Sequence, residues 1–307
     1  MPTRTPGTGV RNHTLLPNGM WQHSVSQSDL KQFSHCPEQH RRHLLNLDKP
    51  MQNDAALLGS VFALYPQSRL KGISTRDAAA TCLHLLEHGS ESLRYPLYGW
   101  HSEYLNQVTF RDFSEAASIL IQAFAVCEVE LAKLPQGTLA EVEFDELLYA
   151  DNQRAIRING AVDLWLRDGA IQDWKLSGQD YVGRDSWKFQ RYDPQPAQYV
   201  LGRMLKEQLD YSQMPGNFTF INIHRSKMAV QSLPLDISEG DLRFHIERVE
   251  ALCKFIEKNG FTDKWPLNPS DWWCSNKWCP AWKDCRGKHI GEDPWQLIAK
   301  SDAKLGL

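Results

Sequence analysis

No apolar run in this 307-residue sequence approaches the roughly 20 residues needed to cross a bilayer as a helix, so no membrane span is expected. The opening stretch, Met1 to Gly19, lacks the apolar segment of a secretory signal, and residues 1–25 are expected to be a flexible lead. Positive charge is not in excess, because 34 Lys and Arg face 37 Asp and Glu, a formal net charge of −3. That excludes a chain-wide basic field for nucleic acid and leaves room only for a local basic channel. Seven cysteines, an odd number without a signal peptide, argue against a disulfide scaffold and for a reducing compartment, the cytoplasm. No internal repeat stands out.

What is present is an alternation of helical and strand patterns. Ser28–Leu47 reads as a helix broken near Cys36-Pro37, capped at Ser28 or Ser26. Leu30, Phe33 and Cys36 share one face of it, on which Cys36 alone would be an ordinary core residue. Helices are expected over Ala55–Leu64, Thr75–His88 and Ser114–Leu134, the last ended by Pro135. Residues 26–64 form an N-terminal helical segment and 65–135 a helical insertion ahead of the sheet. Strands are expected over Thr138–Leu148, Ala155–Asn159, Phe218–Ile223 and Met228–Leu233, and a helix over Ser238–Lys258. A core of residues 136–260 and a cysteine-bearing tail of 261–307 complete the expected organisation.

The centre of the chain is GAVDLWLRDGAIQDWK, Gly160 to Lys175. Two apolar strands, Ala161–Leu166 and Ala170–Leu176, flank the turn signal Asp168-Gly169. They carry Asp163, Asp173 and Lys175, and strand residues two apart share a face. A loop of Arg167-Asp168-Gly169 puts Asp163 opposite Asp173, whereas a two-residue loop would turn Asp163 to the other face. An odd loop is therefore expected. Facing carboxylates repel unless a divalent cation lies between them, and such hard oxygen ligands suit Mg²⁺ or Mn²⁺. A solvated charged face is the other reading of the same spacing. Further on, Asp193 and Pro194 predict a helix start, and a helix to about Leu209 sets Gln195 and Tyr199 on one face.

Gly160-x-x-Asp163, then an apolar-Asp173-x-Lys175 strand, then Gln195-x-x-x-Tyr199 resembles the PD-(D/E)XK nuclease superfamily, in particular its RecB-like branch. The resemblance implies an α/β fold, a central mixed β-sheet flanked by helices (a restriction-endonuclease-like core). It implies Asp163, Asp173 and the Trp174 carbonyl as Mg²⁺ or Mn²⁺ ligands. Lys175 would assist the attacking water, with Gln195 and Tyr199 supporting it or positioning DNA. Glu143 is a weaker candidate, equally an exposed strand residue. Arg184, Lys188, Arg191, Arg203 and Lys206, with Trp187 and Tyr192, would track and stack a nucleic-acid strand, or simply be solvated surface.

Cys274, Cys279 and Cys285 lie in an aromatic, Pro-containing tail without helical periodicity, a spacing that points to a metal. His289 would complete a Cys₃His zinc site; Cys36 is the other candidate for fourth ligand. Ser28-x-Leu30-x-x-Phe33-x-x-Cys36-Pro37 resembles the first-cysteine segment of the AddB and CRISPR-associated exonuclease type. There, one early and three late cysteines hold a 4Fe-4S cluster that joins the chain ends. That resemblance favours the cluster over Zn²⁺ here, although the gap between Cys274 and Cys279 is longer than the usual form. These families also carry a His in a G-x-x-x-H step, and in Gly59-Ser60-Val61-Phe62-Ala63 that slot is Ala63.

The function so implied is a metal-dependent DNA nuclease, an exonuclease on single strands or duplex ends in recombination, repair or phage DNA processing. A recombination or replication protein would be its partner, and a bacterial or phage-infected cell its setting. A nuclease-fold DNA-binding or assembly protein with weakened catalysis and a structural metal site is the alternative.

Overall fold

The computed structural model of the chain describes residues 9–10, 12–47, 54–88, 113–182 and 193–268, with 274, 279, 281, 282, 284 and 285 of the tail. The chain forms two compact units. One comprises Gln52–Glu146 and Ile158–His245; the other comprises Met1–Met51, Leu147–Arg157 and Ile246–Leu307.

The first unit is built on strands β4 (Leu139–Ala150) up to Glu146, β5 (Arg154–Trp165) from Ile158 onward, β6 (Ile171–Ser177), β7 (Asn217–His224) and β8 (Ala229–Asp236). Their order is β5-β6-β7-β8, with β4 also on β5. β6 and β7 are parallel while β5/β6 and β7/β8 are antiparallel, so the sheet is mixed. Alternation assigns the faces. Leu164, Leu166, Trp174, Leu176, Ile221 and Ile223 point into one core with helices α3 (Asp54–Leu70), α4 (Thr75–His88) and α5 (Phe113–Leu131). Asp173, Lys175, Phe218 and Phe220 belong to the opposite face, which meets α6 (Gln195–Glu207) through Gln195 and Tyr199. The expected insertion of 65–135 is thus corrected. Among its described residues, Tyr65, Cys82, Leu120 and Cys127 are buried in the same core as the strands, so these helices are a layer of the domain. α3 also runs past Leu64, through Pro66, to Leu70.

The second unit holds β1 (Gly9–Val10), β2 (His13–Leu15), β3 (Trp21–Ser26), α1 (Gln27–His35) and α2 (Pro37–Leu44). Helix α7 (Glu239–Asn259) supplies it from Ile246 onward. Of the flexible lead expected over 1–25, the described residues form strands instead, β1, β2 and β3 pairing antiparallel, and residues 1–8 and 11 lie outside the description. Trp21, His23 and Val25 alternate inward, a period-2 pattern hidden in the sequence by its histidines. Ser26 caps α1, its hydroxyl accepting from the Asp29 amide while the Asp29 carboxylate accepts from the Ser26 amide. Glu38 in α2 accepts two bonds from Arg41 at 2.8 Å and one from the Trp265 amide at 2.8 Å, tying α2 to the segment before the tail.

Candidate active site

The turn between β5 and β6 is the three-residue loop Arg167-Asp168-Gly169. The Leu166 amide donates to the Ala170 carbonyl at 2.9 Å, and Gly169 takes φ +101°, a conformation open to glycine. Leu164 pairs with Gln172 and Trp165 with Ile171, a register that sets Asp163 level with Asp173. There the ladder changes character. The Trp174 amide donates to the Asp163 carboxylate at 3.0 Å in place of a backbone carbonyl.

Asp173 is wholly buried, whereas Lys175 beside it is 34% exposed. The Lys175 ammonium donates to Asp173 Oδ1 at 3.0 Å and lies 2.7 Å from Oδ2. Gln195 Nε2 donates to Asp173 Oδ1 at 2.7 Å and to the Tyr199 hydroxyl at 3.0 Å. Asp173 Oδ2, despite the nearby ammonium, accepts no well-directed hydrogen bond. Burial pushes the Asp173 carboxyl above the usual carboxylate range; the Lys175 charge opposes this and the Asp163 charge adds to it. Burial works against the Lys175 ammonium, but Asp173 and then Asp163 outweigh it and hold the lysine above its ordinary value. Tyr199 is likewise held protonated, by burial first and then by the two carboxylates. The site thus gathers two carboxyl groups around one ammonium, and among the described residues Asp173 Oδ2 meets that ammonium at 2.7 Å without a further donor. Such a donor set fits a hard divalent cation, which needs only one or two carboxylates and keeps waters elsewhere.

Sequence reasoning named Asp163, Asp173, Trp174, Lys175, Gln195 and Tyr199, and the structure brings all of them together. Glu143 it does not: the side chain is exposed on β4, one residue out of phase with buried Phe144. Arg203 is a correction too. Its guanidinium lies 4.5 Å over the Trp165 ring, pairs with Glu207 and donates to the Gly169 carbonyl, so it braces the hairpin loop. Lys206 donates to the Glu143 carbonyl at 2.9 Å. Arg184, Trp187, Lys188, Arg191 and Tyr192 lie outside the described residues. Asp193 acts one residue earlier than a standard cap, accepting the Gln195 amide at 3.0 Å while Pro194 precedes the first helical residue. Ala63 is half-buried in α3, one turn past Gly59, where an added Cβ would lie 3.3 Å from the Leu176 carbonyl oxygen of β6.

Sequence reasoning missed Tyr181 and Asn222. Buried Tyr181 feels the Lys175 and Asp173 charges and packs edge-on to Phe220. Fully buried Asn222 accepts from Ser177 at 3.0 Å and donates to the Gln179 carbonyl and to Gln231, both at 2.9 Å, which fixes the loop leaving β6. No local sequence signal distinguishes that asparagine.

In the other unit, Cys36, Cys274, Cys279 and Cys285 line one cavity of about 120 Å³, together with Glu38 and Trp282. All four are half-buried and outside any disulfide. Burial pushes the Cys279 thiol up to about 11, and the Cys274, Cys36 and Cys285 sulfurs add to the rise. Their chemistry suits a soft metal, but among the described residues no three His, Cys, Asp or Glu side chains close into a group that could hold one. His289 lies outside the described residues. Among the described residues no helix is long and apolar enough to cross a membrane.

Compared with known proteins, residues 24–286 match the family model of the PD-(D/E)XK nuclease superfamily. Among solved structures, the chain is similar to a protein of Eubacterium rectale assigned as an exonuclease. The TM-score is 0.49 at 14% identity, over 80% of this chain and 84% of that one. It is also similar to SSO0001, with a TM-score of 0.34 at 12% identity, over 81% of this chain and 93% of that one. No curated protein matches.

Proposed function

The chain belongs to the PD-(D/E)XK nuclease superfamily, and from that premise we propose that it is a Mg²⁺- or Mn²⁺-dependent deoxyribonuclease. On this reading it is an exonuclease on single strands or duplex ends, serving recombination, repair or phage DNA processing. One observation carries the proposal: buried Asp173 is clamped by Lys175 and Gln195 and faced by Asp163, so two carboxyl groups converge beside a single ammonium. Asp163, Asp173 and the Trp174 carbonyl would hold the cation. When bound, it supplies Lewis acidity at the phosphoryl group and acidifies water. Lys175, more exposed than Asp173, retains its proton, orients the attacking water and offsets negative charge as it develops. Gln195 and Tyr199 keep Asp173 aimed.

The test is cleavage of end-labelled single-stranded DNA with Mn²⁺ by anaerobically purified protein, beside Lys175→Ala and Ala63→His variants. Cleavage lost in Lys175→Ala with an unchanged circular dichroism spectrum supports the proposal; full activity in that variant removes Lys175 from it. Ala63 in the slot resembling a ligand His favours a second reading, a nuclease-fold DNA-binding protein without turnover. Cleavage only by Ala63→His would select that second reading.

The cysteine cavity is read as a structural site, a 4Fe-4S cluster on Cys36, Cys274, Cys279 and Cys285, with Zn²⁺ as the alternative. Support comes from four soft donors around a single cavity. Iron and acid-labile sulfide lost in Cys36→Ser identify the cluster, whereas zinc retained by that variant identifies a site completed by His289.

A further inference from the structure

Buried Phe144 of β4 faces the active-site side of the sheet, and two glycines make room for it. A Cβ on Gly202 of α6 would lie 2.4 Å from the Phe144 ring, and one on Gly160 of β5 would lie 2.8 Å from it. Neither approach is tolerable, and the obstacle is a rigid, enclosed ring that cannot swing aside. A helix interior disfavours glycine, so Gly202 at this position needs a packing reason, and Phe144 supplies it. The ring also stands edge-on to Tyr199, with centroids 6.2 Å apart and planes at 85°. Tyr199 is confined further, since a Cβ on Gly160 would come within 3.3 Å of its ring and Phe218 lies 6.3 Å away. From Tyr199 the order passes on: its hydroxyl accepts from Gln195, and Gln195 donates to Asp173.

We infer that Phe144 is a positioning residue of this site, a ring keyed between Gly160 and Gly202 that sets how closely α6 lies on the sheet. The closeness matters because Gln195 spans from α6 to Asp173 in one 2.7 Å hydrogen bond, with no slack. Raising the helix by the depth of one methyl group breaks that bond and frees Asp173 to turn toward Lys175 alone. The inference rests on the reading of Asp163 and Asp173 as cation ligands.

It is tested by calorimetric titration of Mn²⁺ into the full chain and into Gly202→Ala, Phe144→Leu and the double variant, with circular dichroism and thermal midpoints for each. Outer residues that orient a ligand typically change metal affinity by about 10–100-fold. Each single variant is expected to bind Mn²⁺ about tenfold more weakly, Gly202→Ala by crowding the ring and Phe144→Leu by leaving slack. In the double variant the smaller side chain accepts the new methyl group, and affinity is expected to return to within about threefold of the parent. Phe144→Leu, which only removes atoms, answers the question if Gly202→Ala does not fold. It should add no further loss to a Gln195→Ala chain, whereas a ring that merely stabilises the fold would add its effect in full. Unchanged affinity in both single variants, or losses that sum in the double, overturns the inference. A parent that binds Mn²⁺ but cuts no DNA defeats the nuclease reading and leaves this inference standing. A parent that binds no Mn²⁺ removes both.

Discussion

The Trp174 amide donates to the Asp163 carboxylate at 3.0 Å, at the level where an antiparallel ladder would offer it a backbone carbonyl. The side chain has taken over a sheet bond, so β5 and β6 part at the point where Asp163 and Asp173 face each other. Two roles therefore sit on one residue. In Asp163→Asn an oxygen remains to accept from Trp174 and only the charge is lost; in Asp163→Ala both are lost. Asparagine is expected to hold stability within about 0.5 kcal/mol while weakening Mn²⁺ binding, and alanine to cost a further 1 kcal/mol or so. Urea denaturation of the two variants checks this, and equal midpoints would count against the takeover.

Among the described residues, Gln195→Ala leaves Asp173 Oδ1 with Lys175 as its one hydrogen-bond donor. Activity at limiting Mn²⁺ is expected to fall about 10–100-fold, with much of it regained at saturating metal. A variant equally impaired at every Mn²⁺ concentration would assign Gln195 to the DNA and not to Asp173.

Arg203 holds the hairpin loop through the Gly169 carbonyl and through the face of Trp165. Arg203→Ala is expected to cost about 2–3 kcal/mol in chemical denaturation, since a nearly buried charge-assisted bond and a stacked guanidinium go together. Lysine keeps the charge without the planar fork and should recover little of it. If Arg203→Ala instead lost DNA affinity at unchanged stability, the strand-tracking role set aside above would return.

Acid should loosen the second unit through a buried histidine pair. His23 Nε2 lies 3.1 Å from the Glu257 carboxylate, which can only accept, so that nitrogen carries the proton. With His23 neutral, its Nδ1 accepts from His13 Nδ1 at 2.9 Å, and His13 Nε2 remains a buried lone pair without a hydrogen bond. Burial first, and then neighbouring cationic charge, lowers His13 from 6.5 to about 3 and His23 from 6.5 to about 4. Between those values the unfolded chain binds protons that the folded chain refuses. Stability therefore falls as pH falls below about 6.5, by up to about 1.4 kcal/mol per pH unit for each histidine. Denaturation midpoints at about pH 7.5 and pH 5 measure it, and His13→Asn should flatten the slope; a level profile in the parent would show that the pair is already charged.

Most of the site was legible because its spacing is dictated by the peptide backbone. The two-residue period of a strand placed Asp173 and Lys175 together, an odd loop closed by Gly169 brought Asp163 level, and a helical turn joined Gln195 to Tyr199. The errors share a different origin. The alternation of Trp21, His23 and Val25 was masked by imidazoles that become neutral and buried only once the fold surrounds them. Arg203 looked like a surface cation because nothing local announces that Trp165 and Gly169 will enclose it. Phe144 reaches Gly202 and Asn222 reaches Gln179 across more than forty residues, and no short window of sequence contains both ends of those contacts.

The division of the chain also orders events in time. The unit carrying the carboxylates is complete once His245 has been made, whereas the other needs Met1–Met51, Leu147–Arg157 and everything from Ile246 to Leu307. During synthesis the N-terminal strands must therefore wait, unpartnered by α7 and the cysteine tail, until Cys285 has been made. A ribosome stalled a little beyond His245 would display a folded sheet with its carboxylate pair, while Trp21, His23 and Cys36 remained open to chaperones, proteases and thiol reagents. The cysteine cavity cannot exist before Cys285 has been made.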